Sequence, residues 1–204
     1  GAYGALTAGG ACTAVRGNHV SRTTLGVTLA TNTPAGERRR TIENVSGRSR
    51  SCDVTTYAEL VLNPPVADSA HPAFSKLFVQ TEWDGAAQAL LAKRRLRAPD
   101  DEPLWVIHTL RTHSADAKLS YETDRMRFIG RGRTTARPMS LDAEMELSGT
   151  TVAVLDPILS LRTAVSLPAG ARTEMIAMLA RGAPRSAGLA PRRPAGGAGA
   201  GGGG

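Results

Sequence analysis

The chain has 204 residues, enough for one domain with a hydrophobic core, and the 41% that are hydrophobic is slightly low for a globular protein. Its net charge of +7 falls to +3 for residues 1–180 once the four arginines of 181–204 are set aside, so charge does not favour a nucleic-acid-binding protein. Two cysteines are too few for a disulfide framework and no apolar run reaches the roughly 18 residues of a membrane span, which argues against a disulfide-rich secreted protein and a membrane-spanning segment.

Residues 1–22 are rich in glycine and alanine and show no hydrophobic period, so we expect a poorly packed N-terminal stretch. The chain begins with Gly1 in place of a methionine, and we therefore expect it to be a fragment of a longer protein. Strand patterns dominate from residue 23 to 180, which predicts one β-sandwich domain over this range.

The first strand patterns cover Thr23–Ala30, Arg39–Val45 and Ser51–Leu62. In the third of them apolar and polar side chains alternate, as expected for a strand with one buried face. The turn-forming stretch Ser46–Arg48 separates the second pattern from the third, which predicts that these two strands form a hairpin.

Later strand patterns cover Leu104–Leu110, Ser160–Leu167 and Arg172–Ala180. The segment Ala86–Arg95 has a helix-forming composition but lies among strand patterns, so helix and strand both remain open for it. Short strands separated by turn signals favour a mostly β protein, an antiparallel β-sandwich, over a barrel or an α/β sheet.

The last segment, 181–204, contains nine glycines, four arginines and no acidic or aromatic residue. Its one large aliphatic side chain is Leu189, so the segment cannot bury enough surface to offset the entropy of ordering it. We expect a disordered C-terminal tail.

An acidic pair, Glu122 and Asp124, is a candidate for glycoside chemistry because residues two apart on a strand share a face and two carboxylates perform that reaction. The neighbouring Arg125 and Arg127 favour the alternative that these side chains form a structural cluster of ion pairs.

No nucleophile or phosphate-loop motif is present, and we expect neither a catalytic residue nor a cofactor in this chain. The closest histidines, His108 and His113, are five apart and would face opposite sides of a strand, so no metal site is predicted. The stretch Gly130–Arg133 lacks the lysine and hydroxyl of a phosphate loop, which leaves a mobile turn or a loop whose arginines reach a sugar or phosphate.

As a whole, residues 37–162 resemble the β-sandwich (supersandwich) domains of cyclic β-1,2-glucan synthases and, more distantly, of cellobiose phosphorylase and its relatives. Order and spacing both agree along this range, which makes the resemblance more specific than a single short motif. The segments that carry it are ERRR at 37–40, DVTTYAELVL at 53–62, AD at 67–68, AHPAFSKLFV at 70–79, TE at 81–82, KRR at 93–95, PDDEP at 99–103, Trp105, His108, YETDR at 121–125, FIGRGR at 128–133, LSGTT at 147–151 and LDPI at 155–158.

The resemblance implies a parent protein that joins an inverting phosphorylase-like module to a membrane-embedded glucosyltransferase module. In that family the sandwich packs against a helical barrel that holds the catalytic acid, whereas this chain continues into a glycine-rich segment after Ala180. The implied role is therefore a non-catalytic, carbohydrate-binding or structural sandwich. By position, the implied contacts to sugar or phosphate are Glu122, Asp124, Arg125, Phe128, Arg131 and Arg133.

The implied partners are a β-glucan or oligosaccharide, bound through the parent enzyme, and the helical barrel of the parent. We expect no nucleic-acid partner and no membrane contact by this segment itself, and a cytoplasmic location at the inner face of the bacterial inner membrane through the parent. Two alternatives stay open: a basic nucleic-acid-binding module that uses the arginine-rich loop and tail, and an inactive remnant that folds poorly.

Overall fold

A computed structural model describes residues 22–26, 36–63, 69–96, 104–113, 118–142, 145–151 and 154–182. Within these ranges the chain forms β-strands, the short α-helices α1 (Pro72–Lys76) and α2 (Arg125–Ile129), and a 3₁₀ turn at Met139–Leu141. The strands are β1 (Arg22–Gly26), β2 (Gly36–Glu43), β3 (Arg50–Glu59), β4 (Val79–Asp84), β5 (Ala89–Arg94), β6 (Trp105–Thr112), β7 (Leu119–Asp124), β8 (Pro157–Leu167) and β9 (Arg172–Gly182).

These strands form two sheets, with the order β1-β3-β8-β7 in sheet A and β2-β9-β6-β5-β4 in sheet B. Every pair is antiparallel except β1 with β3, which run parallel. The predicted fold class, a mostly antiparallel β-sandwich, is therefore confirmed, and the parallel edge pair is a feature that the sequence patterns did not predict.

The predicted hairpin between β2 and β3 is wrong, because the two strands belong to different sheets. The connection crosses the end of the sandwich and is held there by the buried side chain of Asn44. Its amide nitrogen donates to the carbonyl oxygens of Arg48 at 2.8 Å, Leu167 at 2.9 Å and Pro168 at 2.9 Å. Alternation along a strand indicates which face is buried but not which strand lies alongside, and these long-range bonds decide the partner.

The ambiguous segment 86–95 is a strand, since β5 pairs with β4 on one side and β6 on the other. Leu90 and Leu91 face opposite sides of the sheet, yet both are at most 1% exposed. A strand buried on both faces has a continuous apolar sequence rather than an alternating one, and this tertiary setting overrides its helical propensity. Strand β9 continues to Gly182, two residues past the predicted end of the sandwich. Residues 1–21 and 183–204 lie outside the described residues, and the predictions of a poorly packed start and a disordered tail fall on them.

The main core lies between the sheets and is built from inward-facing aliphatic side chains of both layers. Sheet A contributes side chains from β3 and β8, and sheet B contributes them from β4, β5, β6 and β9. The buried members are Val54, Ala58, Leu60, Leu62, Val79, Leu90, Ala92, Val106, Leu110, Leu159, Leu161, Val165, Leu167, Met175, Ala177 and Leu179.

His108 forms a polar link between the two sheets. His108 of β6 is 2% exposed, and its Nε2 lies 2.7 Å from the hydroxyl oxygen of Thr56 on β3, while its Nδ1 lies 3.0 Å from the carbonyl oxygen of Met178. Because a carbonyl can only accept, Nδ1 carries the proton and Nε2 accepts from the Thr56 hydroxyl. Burial lowers the pKa of His108 to about 4, although the bond to Met178 acts in the opposite direction, so the imidazole is neutral near pH 7.

Candidate functional site

The outer face of sheet A is covered by the segment that follows β7. Strand β7 ends at Asp124, whose carboxylate caps α2 by accepting from the backbone N–H groups of Met126 at 2.8 Å and Arg127 at 3.3 Å. The next turn of chain buries Phe128 and Ile129, which are 1% and 6% exposed, in a second apolar cluster. The other members of that cluster are Leu147, Ile158 and the partly buried Tyr57. Phe128 is thus an internal anchor that holds the segment onto the sheet.

The carboxylate of Glu122 is buried, with the residue 2% exposed, and it accepts four hydrogen bonds. One oxygen accepts from the N–H groups of Thr123 at 3.0 Å and Asp124 at 2.9 Å, and the other from the hydroxyl of Ser148 at 2.6 Å and its N–H at 3.3 Å. This arrangement ties the 148 turn to β7. Glu122 belongs neither to an ion-pair cluster with the arginines nor to a surface that a sugar reaches.

Arg125 is the centre of an ionic network at one end of the sandwich. Its Nε lies 3.0 Å from a carboxylate oxygen of Glu59 and 3.2 Å from the hydroxyl of Tyr57, and its Nη1 lies 3.5 Å from Asp156, which Lys76 also binds at 2.7 Å. Burial alone raises the pKa of Glu59, but the hydrogen bonds from Tyr57 and Arg125 outweigh it and lower the pKa overall. Burial and the bond to Glu59 raise the pKa of Tyr57, so the phenol stays protonated.

Beyond α2 the chain forms a loop at 130–137 whose residues are exposed apart from Gly130. Arg162, 6% exposed, holds the base of this covering segment. Its guanidinium donates to the hydroxyl of Thr55 at 2.9 Å, to the carbonyl of Met145 at 2.7 Å and to the carbonyl of Ser140. The Ser140 hydroxyl in turn donates to the Phe128 carbonyl at 2.8 Å. These bonds fix the 3₁₀ turn over sheet A and hold both flanks of the loop in place.

Gly130 is required where the loop begins, because its φ is +86° and an added Cβ would lie 2.7 Å from the Cβ of Met139. Two arginines project from the loop. Arg133 pairs with Asp142 at 2.7 Å, and Arg131 is exposed with no ion pair among the described residues. The predicted binding residues therefore separate into a buried pair, Glu122 and Phe128, and a set near the surface comprising Asp124, Arg125, Arg131 and Arg133.

Several residues that organise this face were not singled out from the sequence, namely Tyr57, Glu59, Lys76, Asp156 and Arg162. They come from β3, α1, β8 and the residue before β8, so only the fold brings them together. A partial signal existed, since all of them except Arg162 lie within the segments that carry the family resemblance.

In the described part of the chain no group of three or more histidine, cysteine, aspartate or glutamate side chains is placed to hold a metal ion. His108 lies in the core, and His113 lies at the surface with its Nε2 3.6 Å from a carboxylate oxygen of Glu174. The two side chains therefore lie on opposite sides of the sheet, as their spacing of five predicts. Within the described ranges, no helix combines the length and the apolar character of a membrane-crossing helix.

Two facing sheets with an arginine-bearing segment over one outer face define a large β-sandwich domain, and sequence comparison identifies its class. Residues 14–192 match the family described as "Glycosyl hydrolase 94, supersandwich domain". The chain therefore belongs to the glycosyl hydrolase 94 supersandwich family.

The chain is also 40% identical over 149 residues to the cyclic beta-(1,2)-glucan synthase NdvB of Rhizobium meliloti (strain 1021). The match covers 72% of this chain but 5% of that protein, so the chain spans about one-twentieth of the length of this relative. The resemblance to glucan synthases is confirmed.

Proposed function

We propose that this chain serves as the non-catalytic, carbohydrate-binding and structural sandwich of a longer protein that makes or phosphorolyses β-linked glucan. The family membership and the likeness to a cyclic beta-(1,2)-glucan synthase support this proposal. The chemistry itself would belong to a helical barrel elsewhere in such a protein, and the module would work in the cytoplasm at the inner face of the membrane.

The observation that carries the proposal is the exposed arginine loop at 130–137. Arg131 and Arg133 lie on a segment whose base is fixed by Arg162 and whose first residue has a backbone conformation that favours glycine. A loop fixed on both flanks loses little conformational entropy when it binds a ligand. This preorganisation supports a binding role over that of a mobile turn.

Arginine suits a sugar or phosphate because its planar guanidinium donates two parallel hydrogen bonds to neighbouring oxygens. Arg133 donates a hydrogen bond to the Asp142 carboxylate at 2.8 Å, and this bond orients its guanidinium at the surface of the loop. Arg125, at 36% side-chain exposure, is more constrained, because Glu59 and Asp156 already occupy two sides of its guanidinium. We therefore place the sugar or phosphate contact at Arg131 and Arg133 first, with Asp124 and Arg125 at its border.

Calorimetric titration of the chain with β-1,2-gluco-oligosaccharides tests the proposal, with inorganic phosphate as a second ligand. The double variant Arg131→Ala, Arg133→Ala is expected to bind more than about a hundredfold more weakly, because each charge-assisted hydrogen bond contributes about 1.5–3 kcal/mol and two of them are removed. Arg48→Ala is the matched control, since Arg48 is an exposed arginine in the connection at the other end of the sandwich.

Equal binding by both variants would contradict the assignment to the loop, and no heat of binding at millimolar sugar would leave a structural role alone. Binding of DNA that weakens steeply with added salt would instead support the basic nucleic-acid-binding alternative.

A further inference from the structure

An aromatic pair closes the sandwich on the side where β4 faces β7. Among the described strands, β4 is the outermost strand of sheet B on this side and β7 is the outermost strand of sheet A. Trp83 of β4 stacks on Tyr121 of β7, with the ring centroids 4.5 Å apart and the ring planes at 18°. Two residues away along each strand, the hydroxyl of Thr81 donates to that of Thr123 at 3.0 Å. The pair is therefore held in place from both sheets.

Each of the two rings carries a polar group that the described fold does not use. Neither the indole N–H of Trp83 nor the hydroxyl of Tyr121 makes a hydrogen bond to another described residue, and neither atom is enclosed by the protein. Both side chains are partly buried, because their apolar parts pack against the main core. Polar groups placed in this way bond either to water or to a ligand.

The backbone next to the two rings is formed by glycines. The N–H of Gly149 donates to the Tyr121 carbonyl at 2.9 Å, and a Cβ added to Gly149 would lie 3.8 Å from the Tyr121 hydroxyl oxygen. A Cβ added to Gly85 would lie 3.6 Å from Nε1 of Trp83. Since neither glycine carries a side chain, the polar ends of both rings stay open on these sides.

A hydrogen-bond acceptor follows Gly149 in the chain. The hydroxyl of Ser148 donates to Glu122 at 2.6 Å and lies 2.6 Å from the hydroxyl oxygen of Thr150. Because a carboxylate only accepts, the one hydroxyl hydrogen of Ser148 points to Glu122, and Thr150 donates to Ser148. The hydroxyl oxygen of Thr150 therefore keeps its lone pairs for a further donor. This edge of the sandwich combines aromatic surface, two donors and an acceptor, and all of these groups are uncharged.

Uncharged groups of these kinds fit a sugar ring. The C–H faces of a β-linked glucose unit pack against aromatic rings, and the hydroxyls around the ring donate and accept hydrogen bonds. A phosphate or a nucleic acid would favour cations beside the rings. In the described part of the chain the cation–π contacts are made by Trp105 and Phe78, not by this pair. The edge therefore suits a neutral glucan better than an anion.

We infer that Trp83 and Tyr121 form a second, non-catalytic binding site for a neutral glucan chain, at the edge of the sandwich between β4 and β7. The inference takes its ligand class from the proposed function and rests on it in that respect. The arginine loop at 130–137 supplies none of the groups of this site, so the two contacts are tested by different residues. Since uncharged hydrogen bonds are weaker than charge-assisted ones, the second site is expected to fill at higher sugar concentrations than the loop.

The fluorescence of Trp83 tests the inference. The chain contains two tryptophans, so Trp105→Phe leaves Trp83 as the single tryptophan emitter. In this background, addition of a β-1,2-linked gluco-oligosaccharide is expected to change the emission of Trp83 in a saturable way. Tyr121→Phe keeps the stacked ring but removes its hydroxyl, and it is expected to bind about two- to tenfold more weakly.

A second variant blocks the site without removing any of its groups. Gly85→Leu places a side chain beside the indole N–H of Trp83 and is expected to bind more than about tenfold more weakly. Gly47→Leu is the control, because a Cβ at Gly47 would have no atom within 4 Å, and it is expected to bind unchanged. An emission that stays constant throughout the titration would overturn the inference, as would equal binding by these two variants.

The double variant Arg131→Ala, Arg133→Ala separates the inference from the proposed function. In the single-tryptophan background it is expected to leave the response of Trp83 unchanged. Loss of the response would show that the indole senses sugar bound at the loop, which would overturn the inference and support the loop contact. A response that persists while calorimetry shows no effect of the double variant would support the inference and refute the loop contact. A response to single-stranded DNA in place of sugar would overturn the inference in favour of a nucleic-acid contact.

Discussion

We expect acid to destabilise this sandwich through His108, whose neutral imidazole links the two sheets. Changing His108 to glutamine keeps a polar side chain that donates and accepts hydrogen bonds but does not titrate. The pKa of His108 is lowered to about 4, against an ordinary value of 6.5. Between these two values the unfolded chain binds a proton that the folded protein does not, so the free energy of unfolding falls as the pH falls.

The magnitude follows from the two pKa values. The full contribution is present above pH 6.5, and linkage gives a loss of about 2 kcal/mol at pH 5 and about 3 kcal/mol at pH 4. Below pH 4 both states are protonated at this group, and the loss levels off. This is a large fraction of the stability of a domain of this size, which is typically about 5–15 kcal/mol.

Urea unfolding monitored by circular dichroism at pH 7.5, 5 and 4 measures this loss. Carboxylates such as Glu59 also contribute, because a lowered pKa costs stability as the pH falls, but they affect the wild type and the variant alike. The difference in pH dependence between the wild type and His108→Gln isolates the imidazole. His113→Gln, at 74% side-chain exposure, is the control and is expected to keep the wild-type dependence. Parallel stability curves for the wild type and His108→Gln would refute the reasoning.

Two further substitutions test the segment that covers sheet A. Gly130→Ala is expected to lower the free energy of unfolding by about 1–3 kcal/mol, because Gly130 has a positive φ and the added Cβ would lie 2.7 Å from the Cβ of Met139. Gly47→Ala is the control: a Cβ there would have no atom within 4 Å, so the free energy of unfolding is expected to change by less than about 0.5 kcal/mol. Glu122→Ala removes the acceptor of three N–H groups and a hydroxyl, and it is expected to lower the free energy of unfolding by about 1–3 kcal/mol. Glu146→Ala is the control, because Glu146 is exposed, and it is expected to change the free energy of unfolding by less than about 0.5 kcal/mol. Thermal unfolding followed by circular dichroism checks both pairs, and equal losses within either pair would show that the stated contacts are not the cause.

The sandwich was predictable because the alternation of apolar and polar residues shows, from the local sequence alone, which face of a strand is buried. Alternation in Ser51–Leu62 and in Ser160–Leu167 identified β3 and β8, which are neighbours in sheet A. Pairing was less predictable, since the route of the connection at 44–49 depends on bonds from Asn44 to residues more than 120 positions away. The continuous apolar run of β5 left its type open for the same reason: burial on both faces comes from the whole fold.

The candidate site shows the same division between local and long-range information. The resemblance to relatives singled out the segment 122–133 as a candidate site, but the sequence could not separate its buried side chains from its exposed ones. Glu122 and Phe128 are polar and aromatic residues of the kind that bind sugars, and the fold uses both internally. In the sequence Arg162 has the pattern of an outward-facing strand residue. In the structure the segment over sheet A buries it, and its guanidinium donates to the carbonyl of Met145 in that segment.

We propose that the outer face of sheet A presents a sugar or phosphate contact at the arginine loop. Two-dimensional amide NMR of the wild-type chain during addition of a β-1,2-linked gluco-oligosaccharide tests it most directly. We expect shift changes that saturate and that concentrate at residues 131–137 and their neighbours around Asp142. Changes confined to the 44–49 connection, or a spectrum that stays the same throughout the titration, would contradict it.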